Sequence, residues 1–86
     1  KKRIVFLADP LRDIEDCIDF ILKNIKGLTW VSKSYGTHGL VFAVEIRESD
    51  GDSIPDILNS LRKSELFGDQ IEVNIITETK WFFEEG

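Results

Sequence analysis

Cysteine is nearly absent from this chain of 86 residues, and Cys17 is the only one. No internal disulfide can form, which fits a reducing compartment and makes a cytoplasmic location the expectation. Long apolar runs are missing as well. Ile4 to Ala8, matched in length by Leu40 to Val44, is as long as any, far short of a membrane span or a signal peptide, so neither is expected. Positive charge is in the minority: 11 Lys and Arg stand against 16 Asp and Glu, for a net charge of -5. Such a chain repels phosphate backbones, so no nucleic-acid partner is expected.

Catalytic and metal signatures are also scarce. His38 is the only histidine, and no His/Cys cluster has zinc spacing. No glycine-rich stretch follows a strand and opens a helix as a phosphate loop does. Asp50-Gly51-Asp52 offers too few ligands for a calcium loop and reads as a turn. A nucleophile needs a base within reach, and Cys17 on a helix flank reads as a small core residue. The expectation is therefore no enzyme, no catalytic residue, no metal and no cofactor.

What is present is a pattern of strands and helices. Leu28 to Glu48 reads as two strands joined at Tyr35-Gly36-Thr37-His38-Gly39, with Leu40, Phe42, Val44 and Ile46 alternating against Val41, Ala43, Glu45 and Arg47. Gly36 and Gly39 are expected to supply positive backbone angles for the reversal. Ahead of this hairpin, Ile4 to Ala8 reads as a central strand covered on both faces. Asp9-Pro10 is a helix-start signal, and Leu11, Ile14, Ile18, Ile21, Leu22 and Ile25 form one apolar stripe of a first helix from about Pro10 to Ile25. Gly27 reads as its C-cap glycine. Phe20 falls among the polar positions of that helix, so partial exposure, or cover from another chain, is expected.

After the hairpin, Ser53 and Asp56 resemble a capping box. Ile54, Ile57, Leu58 and Leu61 follow as a narrow stripe, and the helix should end near Lys63 or Ser64. Ile71 to about Thr79 is the last strand, with Ile71, Val73 and Ile75 on one side and Ile76 on the other. The order strand, helix, strand, strand, helix, strand predicts an α+β ferredoxin-like βαββαβ sandwich in a single domain spanning 1–86. A four-stranded antiparallel sheet would carry two helices on one face, with its first and third strands central. Ile4, Phe6, Phe42 and Val44 would meet the helices. Val5, Leu7, Val41, Ala43 and Ile76 would lie on the open face.

An apolar open face marks an interface more often than plain exposure. Two covers fit it: a second copy of the chain, or the Trp81-Phe82-Phe83 segment folding back. Val5, Leu7, Phe20, Val41, Ala43, Ile76 and Trp81 are the candidate interface residues. The turn Tyr35, Gly36, Thr37, His38 and Gly39 is the candidate ligand site, because glycines admit a ligand to the backbone while phenol, hydroxyl and imidazole orient it. A plain hairpin turn with a surface histidine is the alternative.

Ile25-Lys26-Gly27-Leu28-Thr29-Trp30-Val31, then Ser34 to Val41, then Ile71-Glu72-Val73-Asn74-Ile75-Ile76-Thr77, resemble the ligand-binding domain of leucine-responsive, feast/famine-type regulators. ACT-type amino-acid-sensing domains share the fold. The resemblance implies a homodimer that binds an amino acid or similar effector near the hairpin turn. Gly36 matches the turn glycine of that family and His38 its aromatic position, whereas Gly39 stands where Asp is usual. The family's DNA-binding helix-turn-helix is not in this sequence. The competing reading is an acidic protein-binding module, such as an immunity-like inhibitor of a basic partner, anchored by Phe20 and Trp81.

Overall fold

The computed structural model describes residues 2–47 and 53–76. Its elements are β1 (Lys2–Ala8), α1 (Ile14–Asn24), β2 (Leu28–Lys33), β3 (Leu40–Ile46), α2 (Ser53–Ser64) and β4 (Glu72–Ile76). The strands form one four-stranded sheet in the order β2-β3-β1-β4 with every pairing antiparallel. This is the ferredoxin-like sandwich, with β1 and β3 central as expected.

Alternation along the central strands separates two faces. Ile4, Phe6, Ala8, Leu40, Phe42 and Val44 are wholly buried with Cys17 and Ile21 of α1 and Leu61 of α2 in one core cluster. Phe6 and Phe42 stack at 4.9 Å across the central pairing. On the other face Val5 pairs with Ala43 and Leu7 with Val41. Val5, Leu7 and Val41 are half-buried. Ala43, set between Val5 and Trp30 by the two pairings, is wholly buried.

The first helix starts later than the sequence suggests. Asp13 is its N-cap, its carboxylate accepting from Glu15 N, and Ile14 its first residue. The Asp9-Pro10 start signal loses because that backbone pairs elsewhere. Pro10 bridges Phe67, Leu11 N donates to the Leu66 carbonyl at 2.8 Å, and Gly68 N donates to the Asp9 carbonyl at 2.8 Å. Leu11 therefore leaves the helical stripe and is 60% exposed. Leu22, also assigned to the buried stripe, is 58% exposed, since Cys17 and Ile21 are the helix residues that are fully buried.

Ile25, not Gly27, caps the C-terminus of α1. Gly27 stands in the turn beyond it at φ +79, where a Cβ would lie 2.5 Å from the Glu45 carbonyl oxygen. α2 ends where expected, at Ser64, and Glu65 follows in the left-handed region at φ 60. Ser53 is the first helical residue of α2. The cap residue before it, the end of the last strand expected at Thr79, and Trp81-Phe82-Phe83 lie outside the described residues.

Candidate functional site

The antiparallel course of the chain brings one end of β1, the β2–β3 turn, the loop after α2 and the start of β4 together. The turn is closed by Ser34 N donating to the Gly39 carbonyl at 2.9 Å, and Gly36 N donates to Ser34 Oγ at 3.2 Å. Neither Gly36 nor Gly39 has a positive φ; among the described glycines that conformation belongs to Gly27. The expected reason for these two glycines is thus corrected. Gly39 has a spatial reason: a Cβ there would come within 3.3 Å of Pro10 Cδ.

His38 is the main surprise of this region. A turn histidine is expected at the surface, yet His38 is only 7% exposed. Its Nδ1 lies 3.2 Å from Asp9 Oδ1 and its Nε2 lies 3.4 Å from Glu72 Oε1. With the ring proton on Nδ1, the shorter contact is a hydrogen bond that the imidazole donates to the Asp9 carboxylate. One ring thus ties the end of β1, the turn and the start of β4. Tyr35 is fully exposed, and Gly36 and Thr37 are exposed beside it. The turn therefore presents a hydroxyl, a phenol and backbone outward, while its imidazole points in.

The same end holds the closing loop. Phe67, 4% exposed, bridges Pro10 and meets the Phe20 ring at 6.3 Å. Phe20 is half-buried on the helix layer, so it is not brought together with Val5, Leu7, Val41, Ala43 and Ile76. Cys17 Sγ donates to the Leu66 carbonyl at 3.5 Å. Burial pushes its thiol up; a backbone hydrogen bond from Arg12 opposes this, and the carboxylates of Asp16 and Asp13 add to it.

The open face carries Val5, Leu7 and Val41 at its centre, with Trp30 paired to Ala43 on the β2 side and Ile76 to Arg3 on the β4 side. Trp30 is 45% exposed and Ile76 37% exposed. Arg3 Nη2 donates to Glu45 Oε1 at 3.0 Å. Sequence reasoning missed Trp30 as a member of this face. Its parity follows from Val31 pairing with Phe42, but a bulge between Leu28 and Trp30 breaks simple counting from the strand start. It also missed Asp9 and Glu72, because nothing local marks which of the 16 carboxylates will face the histidine.

Among the described residues there is no group of three or more His, Cys, Asp or Glu able to hold a metal ion, and no helix long and apolar enough to cross a membrane.

No family model and no curated protein matches the sequence. Solved structures do match its shape. The leucine response regulatory protein LrpA of Mycobacterium tuberculosis superposes at TM-score 0.72 and 15% identity, over 99% of this chain and 56% of that chain. The fold is the one found in that regulator. A feast or famine regulatory protein from M. tuberculosis, solved in complex with L-methionine, gives TM-score 0.68 and 17% identity over 99% of this chain and 56% of that chain. A hypothetical protein from Pyrococcus horikoshii gives TM-score 0.68 and 18% identity over 92% of this chain and 93% of that chain. The chain thus spans about half the length of the two regulators and nearly all of the Pyrococcus chain. At these identities the likeness is one of fold, and it agrees with the resemblance read from the sequence.

Proposed function

We infer that this chain is an effector-sensing regulatory domain that pairs with a second copy through its open sheet face. A small ligand such as an amino acid binds near the β2–β3 turn. The observation that carries the reading is the apolar centre of the open face, Val5, Leu7 and Val41, on a fold shared with regulators, one of them solved with an amino acid. Arg3 and Glu45, which flank that centre on one side, pair with each other. Isologous pairing would bury the same half-exposed valines on both copies.

The turn supports the ligand half of the reading. Its backbone is fixed by the Ser34 and His38 contacts, so a ligand need not order it on binding. The directional contacts would come from Thr37 and Tyr35, with His38 positioning the turn from below. Catalysis gains no support from His38, because both ring nitrogens face carboxylates and neither is left to activate a nucleophile.

The alternative, an acidic module for a basic partner, keeps the net charge of -5 as its motive. Its proposed anchor Phe20 leans on Phe67 rather than standing clear.

A mass measurement in solution, beside a thermal-shift screen of amino acids, tests the proposal. Val41→Glu should give a folded monomer from a dimeric parent. A parent that stays monomeric at high micromolar concentration ends the pairing idea. A screen without any shift, or a shift that survives Thr37→Ala and Tyr35→Ala undiminished, ends the assignment of the turn.

A further inference from the structure

At the end of the sheet away from the β2–β3 turn there is a cleft of about 510 Å³. The length of β3, at roughly 3.3 Å per residue, puts about 20 Å between the two. The cleft lies where the end of α1, the end of β3 and the start of α2 meet. Its floor is apolar: Ile25, Ile46 and Ile57 are each 9% exposed or less. One wall is a single face of α2, because Ser53, Asp56, Ile57 and Ser60 follow helical spacing. The segments before β2 and after β3 contribute Lys26 and Arg47.

The charges here are not equally engaged. Glu45 is bonded to Arg3 at 3.0 Å. Asp56 sits in the first turn of α2, where the helix dipole favours an anion. Of the two carboxylates lining the cleft, Glu45 thus has a side-chain partner within the fold. Among the described residues, neither Lys26 nor Arg47 is in an ion pair. In a chain with a net charge of -5, an apolar-floored cleft with two cations outside the ion pairs of the described residues suits an anion carrying an apolar body. Its volume lies within the usual range for small-molecule sites, about 300–1,000 Å³.

We propose that this cleft binds a small amphipathic carboxylate, its hydrocarbon body on the isoleucine floor and its head group between Lys26 and Arg47. The hydroxyls of Ser53 and Ser60 supply further hydrogen-bond donors for the head. The site is separate from the turn and does not depend on the effector reading given above.

Backbone-amide NMR of the chain titrated with isocaproate tests this. Saturable shifts are expected at Gly27, Ile46, Arg47 and Ser60. The neutral isocaproamide and inorganic phosphate should each bind more weakly, since one lacks the charge and the other the apolar body. Lys26→Gln combined with Arg47→Gln should weaken isocaproate by about tenfold or more through lost charge-assisted contacts. Both residues are exposed, so the melting temperature should stay unchanged. Equal binding of isocaproamide or phosphate, undiminished affinity in the double variant, or no saturable shift in the cleft would each overturn the proposal. Shifts confined to residues 35–39 would overturn it too, while leaving the turn assignment standing. Loss of dimerisation or of amino-acid binding would overturn only the earlier reading.

Discussion

Two turns flank β2, and they are held by opposite means. The turn before it, at Gly27, depends on backbone conformation: φ is +79, and the Cβ position lies against the Glu45 carbonyl. Gly27 also accepts a hydrogen bond from Glu45 N at 2.9 Å, so close approach to β3 is part of how the sheet begins. The turn after β2 depends on side chains. Ser34 Oγ accepts from Gly36 N, and His38 is buried between Asp9 and Glu72, with both turn glycines outside the left-handed region. Glycine content pointed to the second turn as the conformationally special one, yet the first is. A glycine in a sequence marks permission for an unusual conformation, and only long-range contact shows whether the permission is used.

The sharpest test of this contrast is Gly27→Ala. An L-residue pays for left-handed backbone at about 1–2 kcal/mol, and displacement of the β3 backbone adds to that. We expect a loss of about 2 kcal/mol or more in denaturant unfolding, with the midpoint moved and the slope kept. A loss below about 0.5 kcal/mol, the scale of an ordinary surface change, would show that the turn relaxes and the contrast is false.

His38→Ala comes second. It removes a buried ring and its contact to Asp9, for an expected loss of about 1–3 kcal/mol. Asp9 and Glu72 are both substantially exposed on their side chains, so their charges stay solvated and the loss should not reach the scale of an orphaned buried ion. His38→Gln, which keeps some hydrogen-bonding capacity, should recover part of it. A His38→Ala protein as stable as the parent would return the histidine to the surface role expected from sequence.

Cys17 reports on the same turn from a distance. Its Sγ donates to Leu66, and the loop around Leu66 pairs with the Asp9–Leu11 segment that His38 holds. Native thiol labelling should be slow, because the group is buried and its thiol is pushed up, and fast in denaturant. The shift also sets a pH dependence. A thiol raised in the folded state is kept protonated there, so above the unfolded-state value the unfolded chain releases its proton first and stability falls with rising pH; below that value the contribution is constant. Cys17→Ala should flatten that alkaline decline. His38→Ala should speed native labelling by local opening beyond what the change in global stability accounts for. Equal rates after that correction would mean that the turn and the loop open independently.

Much of the fold was legible because it rests on period. The alternation in Leu40–Ile46 assigned the faces of β3, the expected topology carried that assignment to the uniformly apolar Ile4–Ala8, and the stripe Ile54, Ile57, Leu58, Leu61 placed α2 and its end. The start of α1 was not legible, because Asp9-Pro10 carries a genuine local start signal that loses to pairing with residues 66–68, more than 50 positions away. The candidate ligand turn was legible as a turn and not as a site. Whether His38 points in or out depends on two carboxylates on other strands, and no local pattern marks them.

The smallest expected effect belongs to Gly36→Ala. The nearest atom to a Cβ there is Ser34 Oγ at 3.6 Å, an ordinary contact, and its φ lies outside the left-handed region. The native backbone should accept alanine without strain, while the unfolded chain loses some of the freedom glycine gives it. Such substitutions are neutral or stabilise by about 0.4–1 kcal/mol. The expected outcome is therefore no loss, in contrast to Gly27→Ala. A β-branched residue such as valine should also be better tolerated at Gly36 than the composition of the turn suggests, because the penalty for branching is severe only where φ is positive. If Gly36→Ala instead costs more than about 1 kcal/mol in denaturant unfolding, the conformational demand lies in both turns, and the side-chain account of the second one is wrong. The same variant separates fold from function at this position. Stability kept with amino-acid binding lost would place Gly36 where a ligand needs room near the backbone, and both kept would leave Thr37 and Tyr35 as the contacts to examine.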